Sequence, residues 1–339
     1  MWYDGVGLEW FEWFEWFMSK TYGVVLVNLG TPCAPTAEAI KEYLQEFLSD
    51  PYVVQLPAWL WQPLLRYVIL PKRSQRLVES YQLIWQKGDS PLRSYMQELA
   101  AKLEFELQHE SEDEDHRVVV AMRYGQPSLQ VAYDEVQALV DEVIVIPLYP
   151  QYSMATTLTV TEKIKELNWQ KPLKVIESYH NRPSYINALA STILPKINQH
   201  FDALLLMSFH GLPQKMVKIG DPYEVQCHET ATLLAEKLGL TKQQWAISFQ
   251  SRFGLQKWLQ PYTHDLLTVL PKKGIKKVYV VCPGFSVECL ETLEEINEQS
   301  KAMFLAVGGE FFEYIPALND LPEHVEMLKD MLHSVHNNQ

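Results

Sequence analysis

The stretch Val24-Val25-Leu26-Val27-Asn28-Leu29-Gly30-Thr31-Pro32 decides the fold class, because an unbroken apolar run ends here in a glycine and a proline. Such a run predicts a strand that is buried on both faces, as in a parallel sheet. Similar short runs occupy residues 118–122, 143–146, 203–209, 246–249 and 278–281, and helix-like stretches occupy 36–48, 92–107, 224–238 and 287–304. Strands that alternate with helices predict an α/β fold whose parallel sheets are covered by helices on both faces.

The second half of the chain repeats three signals of the first half in the same order. Residues 28–32 (NLGTP) match 209–213 (FHGLP), 123–125 (RYG) match 252–254 (RFG), and 146–147 (IP) match 282–283 (CP). This repetition predicts two similar α/β domains. Because ligands of open α/β sheets bind outside the carboxyl ends of the strands, we expect Leu29 and His210 to face each other across a shared cleft.

The composition limits the class of protein. The 339 residues are enough for about two domains, each with its own core. The chain has 29 Lys and Arg against 42 Asp and Glu, and this net charge of −13 argues against nucleic-acid binding, which requires basic surface. The four cysteines, Cys33, Cys227, Cys282 and Cys289, form no C-x-x-C pair, which excludes a cysteine-rich metal knuckle and predicts a cytoplasmic protein.

Several enzyme classes are disfavoured because their signature motifs are missing. The sequence has no glycine-rich dinucleotide fingerprint after a strand, no P-loop, no zinc-protease histidine pair and no serine-hydrolase elbow. It also has no run of 18 apolar residues that would predict a membrane span.

The aromatic repeat ahead of Met18 has neither a basic region nor a cleavage site, so it is not a signal peptide. We expect residues 1–20 to be an N-terminal extension that is disordered or spurious, with Met18 as the natural start. The alternative is a helix whose aromatic face binds a membrane surface or a partner.

His210 is the first residue whose type and position indicate a chemical role. It ends an apolar run and is followed by Gly211 and Pro213. An imidazole at such a position can accept a proton or bind a metal near neutral pH. The alternative is a capped histidine of the core.

The acidic stretch 286–295 is the second signal. It follows a strand and a Pro-Gly turn, which predicts a helix with Ser286 as its N-cap. Spacings of three and four would then place Glu288, Glu291 and Glu295 on one face. Such a face can serve as a path for a cation or a proton, or it can simply be solvated.

A basic island is the third signal. Residues 66–93 hold six basic and two acidic side chains in a chain that is otherwise acidic. The apolar segment 56–61, which includes Trp59 and Trp61, lies just ahead and is too short to span a membrane. Apolar surface beside cations suits a flat, apolar ligand that carries carboxylates, although an amphipathic packing helix would look the same.

These blocks resemble the ferrochelatase family. Seven of them follow the family's order between about residue 23 and residue 319: VNLGTP (27–32), GDSPL (88–92), RYG (123–125), PLYPQYS (147–153), SFHGLP (208–213), FQSRFG (249–254) and ETL (291–293). Porphyrin metallation also fits the three signals, since it needs a site for an apolar dicarboxylate, a path for a divalent metal and a base for two pyrrole protons.

The resemblance implies two Rossmann-like domains with parallel sheets and a porphyrin cleft between them. The first domain is expected over 21–155 and 314–339, with the end of the chain returning to it as a closing helix, and the second over 156–313. The implied reaction inserts ferrous iron into protoporphyrin IX and releases protohaem and two protons.

The resemblance also assigns the site. The catalytic positions fall on His210, Glu291 and Glu295, and His210 and Glu291 are also expected to contact the metal. Leu29 would line the macrocycle face opposite the histidine. Lys72, Arg73 and Ser90 match positions that contact the propionates, and Tyr124 and Tyr152 would line the pocket.

The sequence departs from the family pattern at two points, and this limits the roles that the resemblance can assign. Cys289 stands where many members have a histidine, so we expect no metal ligand there. No cysteine follows Cys289, so we predict no [2Fe–2S] cluster and no permanently bound cofactor, with Fe²⁺ as a substrate. The expected partners are protoporphyrin IX and ferrous iron, with possible peripheral contact to the inner membrane, no nucleic acid, and a monomer or weak dimer.

Two other functions stay open at this point. A porphyrin or haem carrier would use the same apolar surface and basic island but would not need His210 together with Glu291. A chelatase for another tetrapyrrole or metal would share the fold, but we would not expect it to share the GDSP and QYS blocks. A dehydrogenase on a similar fold is disfavoured by the missing glycine fingerprint.

Overall fold

The computed structural model describes residues 20–110, 114–200, 202–254 and 256–336. The aromatic repeat ahead of Met18 lies outside these residues. Lys20, which the sequence analysis assigned to the extension, is the first residue of a strand.

Two parallel four-stranded sheets form the framework of the described chain. The first sheet has the order β2-β1-β3-β4, and its strands are β1 (Lys20–Gly30), β2 (Glu114–Tyr124), β3 (Glu142–Pro147) and β4 (Leu173–Val175). The second sheet has the order β6-β5-β7-β8, and its strands are β5 (Leu204–His210), β6 (Trp245–Gln250), β7 (Lys277–Val281) and β8 (Phe311–Ile315). The predicted α/β fold with two similar domains is confirmed.

The sequence repeats mark equivalent positions in the two sheets. Leu29 lies one residue before the end of β1, and His210 is the last residue of β5. The RYG and RFG signals lie at or just beyond the ends of β2 and β6, and the IP and CP signals at or just beyond the ends of β3 and β7. Because each strand of a pair has the same place in its own sheet, all of these residues lie at carboxyl edges.

Helices cover both sheets. They are α1 (Ala37–Ser49), α2 (Ala58–Leu64), α3 (Leu70–Ile84), α4 (Pro91–Glu110), α5 (Leu129–Val136), α6 (Thr159–Leu167), α7 (Pro183–Ile197), α8 (Gln214–Lys218), α9 (Tyr223–Lys237), α10 (Thr263–Val269), α11 (Leu290–Thr292), α12 (Lys301–Ala306) and α13 (Pro322–His336). Three π-helical segments (Leu65–Ile69, Met154–Leu158 and Leu293–Ser300) and a 3₁₀ turn (Pro271–Lys273) complete the described elements. The helices predicted at 36–48, 92–107 and 224–238 are confirmed as α1, α4 and α9.

The core joins the two halves. One buried cluster contains one face of each sheet, represented by Leu26 and Leu205, together with α4, α7 and α13. The opposite faces have clusters of their own, in which Val25 packs with α5 and α6, and Leu206 packs with α12. Since the faces shared by both halves are buried together, the two sheets are held in a fixed relation.

The predicted domain boundary needs correction. Leu173 and Val175 of β4 pair with Val143 and Val145 of β3, so the first sheet extends well past residue 155. At the other end, β8 pairs with β7 in the second sheet and includes residues 314 and 315, which the prediction gave to the first domain. The three-residue β4 is only partly buried and therefore left no apolar run to recognise.

His324 is a buried titratable group at the start of α13. Its Nδ1 donates to the backbone oxygen of Asn319, and Nε2 has no hydrogen-bond partner among the described residues. Burial lowers the pKa of this imidazole to about 4, because the charged form would lose its hydration. The folded protein therefore holds His324 neutral at pH values where an unfolded chain would be protonated.

We expect stability to fall between about pH 6.5 and about pH 4, since the unfolded state alone binds a proton at His324 in that window. The full loss is about 3 kcal/mol for this pKa difference. Asn can supply the same donor without titrating, so His324→Asn should remove this part of the pH dependence. Urea unfolding at pH 7.0 and pH 4.5 measures it, with the exposed His109→Asn as control. An equal pH dependence in wild type and His324→Asn would contradict the assignment.

Candidate active site

His210 presents one free ring nitrogen at the carboxyl end of β5. Its Nδ1 lies 2.7 Å from the carbonyl oxygen of Gly211. A carbonyl can only accept, so Nδ1 carries the hydrogen, and the neutral ring keeps Nε2 as an acceptor. No described residue hydrogen-bonds to Nε2. The half-buried ring lies between Trp258 and Phe285, at centroid distances of 6.5 and 6.3 Å.

The acidic helix begins later than predicted. α11 starts at Leu290, and Cys289 is its N-cap, with extended backbone (φ −147°) and a capping box shared with Thr292. The backbone N–H of Cys289 donates to the Thr292 hydroxyl at 3.0 Å. Ser286 is therefore not the cap, and its hydroxyl lies instead 2.9 Å from the hydroxyl of Tyr179.

Glu288 does not lie on the acidic face, which corrects the prediction of three aligned carboxylates. It precedes the helix and is only 2% exposed. Its carboxylate accepts from the Tyr314 hydroxyl (3.0 and 3.1 Å), from the backbone N–H of Ala317 (3.0 Å) and from the Thr292 hydroxyl. Burial raises the pKa of Glu288, and these donors oppose the shift. The residue thus ties the helix start to β8 and the chain that follows it.

Glu291 and His210 both lie close enough to Glu295 for their charges to act on it. The backbone N–H of Ser251 donates to Glu295 at 2.8 Å, and the Ser251 hydroxyl donates to its other oxygen. Burial raises the pKa of Glu295, and the negative charge on Glu291 raises it further. The Ser251 hydrogen bonds lower it, as does the positive charge that His210 carries once it has accepted a proton. Gln250 holds the backbone of Glu291 through a 2.8 Å hydrogen bond to its carbonyl oxygen. The three residues predicted as catalytic therefore lie close enough to influence one another.

Arg73 extends this cluster from the first half of the molecule. Burial lowers the pKa of its guanidinium, and the negative charge on Glu291 opposes that shift. No described residue accepts a hydrogen bond from it, and its guanidinium carbon lies 4.5 Å from the ring centroid of Phe253. The neighbouring Lys72 is exposed. Of the two predicted propionate cations, Arg73 is the one that shares the electrostatic environment of the acidic segment.

Leu29 contacts the same region through its apolar side chain. It is half-buried and packs against a buried cluster that includes Tyr43 and Tyr81, and Leu290 and Leu293, the residues on either side of Glu291 and Thr292, pack against the same cluster. The end of β1 and the acidic segment therefore pack against one common cluster, and the expected position of Leu29 opposite His210 stays a prediction.

Three predicted porphyrin contacts have other partners in the structure. Ser90 is fully buried, and its hydroxyl accepts from the backbone of Arg93 at the start of α4. Tyr124 is also buried, and its hydroxyl donates to Asp50 at 2.9 Å. Tyr152 is half-buried, and besides burial the carboxylates that raise its pKa are Glu177, Asp221 and Glu162, rather than Glu291 or Glu295. Tyr124 belongs to the buried cluster against which Leu29 also packs, and the roles of all three residues as porphyrin contacts stay predictions.

The QYS block connects the two halves of the molecule. The Gln151 side chain donates to Thr230 at 3.0 Å, and the Ser153 hydroxyl donates to the buried Asp221 at 2.9 Å. The backbone N–H of Tyr152 donates to Gln226 between them. All three partners lie in α9 or just before it, so this block fixes the first sheet against the second half.

Two tyrosines near the site were missed by the sequence analysis. Tyr43 in α1 and Tyr81 in α3 are buried, and burial together with the charge on Glu291 raises the pKa of both phenols. Ser80, next to Tyr81, donates to Glu294 at 3.1 Å, which fixes α3 against the acidic segment. In the sequence both tyrosines occupy apolar helical positions, where an aromatic residue predicts core packing and nothing more.

Cavity volume alone does not identify the position of this site. A surface groove of about 500 Å³ lies between α4 and β2, lined by residues such as Ala101, Phe105 and Val120, and no candidate site residue borders it. Within the described ranges, no group of three or more His, Cys, Asp and Glu side chains could hold a metal ion. The site is defined instead by the convergence of the base, the two carboxylates and the cation.

Comparison with known proteins identifies the family of this chain. The family model described as Ferrochelatase matches residues 21–336. A ferrochelatase of Mannheimia succiniciproducens is 48% identical over 320 residues, covering 93% of this chain and 97% of its own. A ferrochelatase of Aeromonas hydrophila subsp. hydrophila is 46% identical over 326 residues, covering 93% and 98%.

Solved structures share the architecture at low sequence identity. SirB from Bacillus subtilis with Fe³⁺ aligns with a TM-score of 0.55 at 11% identity, over 92% of this chain and 94% of its own. A sirohydrochlorin chelatase SirB from Bacillus subtilis subspecies spizizenii in complex with cobalt gives a TM-score of 0.51 at 9% identity, over 94% and 96%. These similarities establish the fold, with its two α/β domains.

We expect Glu288→Ala to lower the free energy of unfolding by about 2–4 kcal/mol, because the buried donors of Tyr314, Ala317 and Thr292 would lose their acceptor. Urea denaturation measures this loss. The matched control is Glu298→Ala, which removes an exposed glutamate from the same segment and should change stability by less than about 0.5 kcal/mol. Equal losses in the two variants would contradict the anchoring role.

Proposed function

This chain belongs to the ferrochelatase family, and we propose that it inserts ferrous iron into protoporphyrin IX, the last step of haem synthesis, at the cluster of His210, Glu291 and Glu295. The observation that carries the proposal is the free Nε2 of His210 beside Glu295. A base with one nitrogen held by a carbonyl and the other open is suited to remove a pyrrole proton.

Proton removal uses the histidine and the acidic segment in sequence. Nε2 of His210 accepts the proton, while the Gly211 carbonyl keeps Nδ1–H oriented. The resulting imidazolium is stabilised by Glu295, and the raised pKa of Glu295 makes this carboxylate a better proton acceptor than an ordinary one. Glu291 and then solvent take the proton further, so that the base is regenerated for the second pyrrole.

Substrate binding supplies the energy that distorts the macrocycle. Planar porphyrin shields its nitrogen lone pairs, and bending it costs about 1–5 kcal/mol, drawn from contacts elsewhere on the substrate. Arg73 has free guanidinium donors for a propionate, and Leu29 offers apolar surface to one face of the ring. Lys72 extends the cationic surface towards solvent.

Iron enters as a substrate and leaves within the product. We assign its contacts on the way to Glu291 and to His210 once the proton has left. A carboxylate and an imidazole are both competent ligands for ferrous iron.

Two alternatives are separated by one experiment. A porphyrin carrier would bind the macrocycle without using the His210–Glu295 pair, and a chelatase for another tetrapyrrole would prefer a different macrocycle or metal. Incubation with protoporphyrin IX and Fe²⁺ under anaerobic conditions, followed by absorption spectroscopy, shows haem bands only for a ferrochelatase.

His210→Ala should lower the rate of iron insertion by about 10²–10⁴-fold, because it removes the general base. The rate is measured as haem formation by the purified variant, and binding of metal-free protoporphyrin is measured by fluorescence in parallel. His264→Ala, which removes an exposed histidine, is the control. Near wild-type haem formation by His210→Ala would refute the assignment.

The apolar segment beside the basic island supports peripheral contact with a membrane. Trp59 is 79% exposed and Tyr67 74% exposed, with Leu60 also exposed between them. Arg66 and Lys72 are exposed in the same stretch and can attract anionic lipid. No helix of the described residues is long and apolar enough to cross a membrane.

We place this surface at the cytoplasmic face of the inner membrane, with a monomer or weak dimer as the expected assembly.

Trp61 does not belong to this exposed surface. It is 7% exposed, and its indole N–H donates to the backbone oxygen of Leu48 at 2.7 Å. It therefore attaches α2 to the core while Trp59 and Tyr67 face outward.

The double variant Trp59→Ser with Tyr67→Ser should bind anionic lipid vesicles at least about tenfold more weakly than wild type, because two large apolar contacts are lost. Sedimentation with phosphatidylglycerol-containing vesicles measures this, and added salt should weaken wild-type binding further. Leu139→Ser, which removes an exposed leucine elsewhere, is the control. Equal partitioning of wild type and double variant would argue against membrane contact.

A further inference from the structure

Phe253 reaches across the molecule to the propionate cation. It lies just after β6 in the second half of the chain and is 43% exposed. Its ring centroid is 4.5 Å from the guanidinium carbon of Arg73, which belongs to α3 in the first half. Phe253 is exposed and contacts a cation of the other half. Core packing therefore does not explain its position.

The contact with Phe253 leaves the hydrogen-bond donors of Arg73 available. A guanidinium attracts an aromatic ring through its flat face and donates hydrogen bonds in its own plane, so both contacts can exist at once. No described residue accepts from Arg73, although burial and Phe253 restrict its position. A long side chain held in this way loses little further rotamer freedom when a carboxylate binds.

The segment that carries Phe253 is fixed to the site on both sides. Ser251 donates to Glu295 by its backbone and its hydroxyl. Farther along, the carbonyl oxygen of Lys257 accepts from Gln214 at 2.9 Å, and Trp258 flanks His210. These anchors hold the Phe253 segment against the acid and the base.

We propose that Phe253 is a positioning residue that holds the Arg73 guanidinium ready for bidentate capture of a substrate carboxylate. The inference rests on the proposed function and deepens it, because it names the feature by which this site prefers a porphyrin that carries free carboxylates. Phe253 does not touch the reacting atoms; it acts through Arg73.

The test is a double-mutant cycle read out as porphyrin affinity. Binding of metal-free protoporphyrin IX is measured by fluorescence for wild type, Phe253→Ala, Arg73→Ala and the double variant. Phe253→Ala should raise Kd about three- to tenfold in the wild-type background. It should change Kd by less than about twofold in the Arg73→Ala background, because Phe253 then has no cation to hold.

Three further measurements distinguish positioning from a general structural effect. Phe253→Tyr should restore wild-type affinity, since tyrosine also stacks on a guanidinium. For protoporphyrin dimethyl ester in detergent, which has no carboxylate, Phe253→Ala should bind as wild type does. Phe105→Ala removes an exposed phenylalanine that lines the groove away from the site and should leave both affinities unchanged.

An unchanged Kd in Phe253→Ala would overturn the proposal, as would an equal loss in both backgrounds or with the ester. Failure here is separable from failure of the proposed function. If wild type makes haem but the mutant cycle shows no coupling between Phe253 and Arg73, only the role of Phe253 is refuted. If the mutant cycle shows coupling between Phe253 and Arg73 but wild type makes no haem, the catalytic assignment is refuted. The positioning role of Phe253 is then still supported.

Discussion

A buried carboxylate, that of Glu288, is the constraint on which the placement of the site depends. A charge or a polar group removed from water must find hydrogen bonds inside the protein, and here they come from Thr292, Tyr314 and the backbone of Ala317. These donors belong to the acidic helix, to β8 and to the chain beyond it. Sliding the helix start by one residue would leave several of them unsatisfied. The carboxylates that follow therefore face the histidine at fixed positions.

Burial separates the roles of glutamates that look alike in sequence. Glu288 is enclosed and surrounded by donors, so it is a structural anchor. Glu295 is only half-buried, accepts from Ser251 and lies within the field of the histidine, so its proton affinity is raised but still adjustable. The charge on Glu291 acts on the guanidinium of Arg73 and on the buried phenols of Tyr43 and Tyr81. These surroundings separate the structural role of Glu288 from the catalytic roles proposed for Glu291 and Glu295.

The connection between the two halves gives a structural role to the residues on either side of Tyr152. Ser153 and Gln151 hydrogen-bond to residues in or just before α9, so the block that contains them sets the distance between the sheets. The three π-helical segments lie just before Arg73, just after Ser153 and around Glu295. Such segments are irregular and are often found at functional sites, where they redirect a side chain relative to a regular helix. Their positions here agree with a site assembled from both halves.

By itself the sequence determined three of the four strands of each sheet, the similarity of the two halves and the residues at the strand ends, because apolar runs, turn residues and repeated motifs are local signals. It also indicated His210 and Glu291, because a motif identifies candidate site residues even when it does not determine where their side chains lie. Only the tertiary structure decided that Cys289 rather than Ser286 begins the helix and that Glu288 is buried away from its neighbours. Those outcomes depend on hydrogen bonds between residues far apart in the chain, and on which faces become buried when the halves pack. No local pattern contains that information.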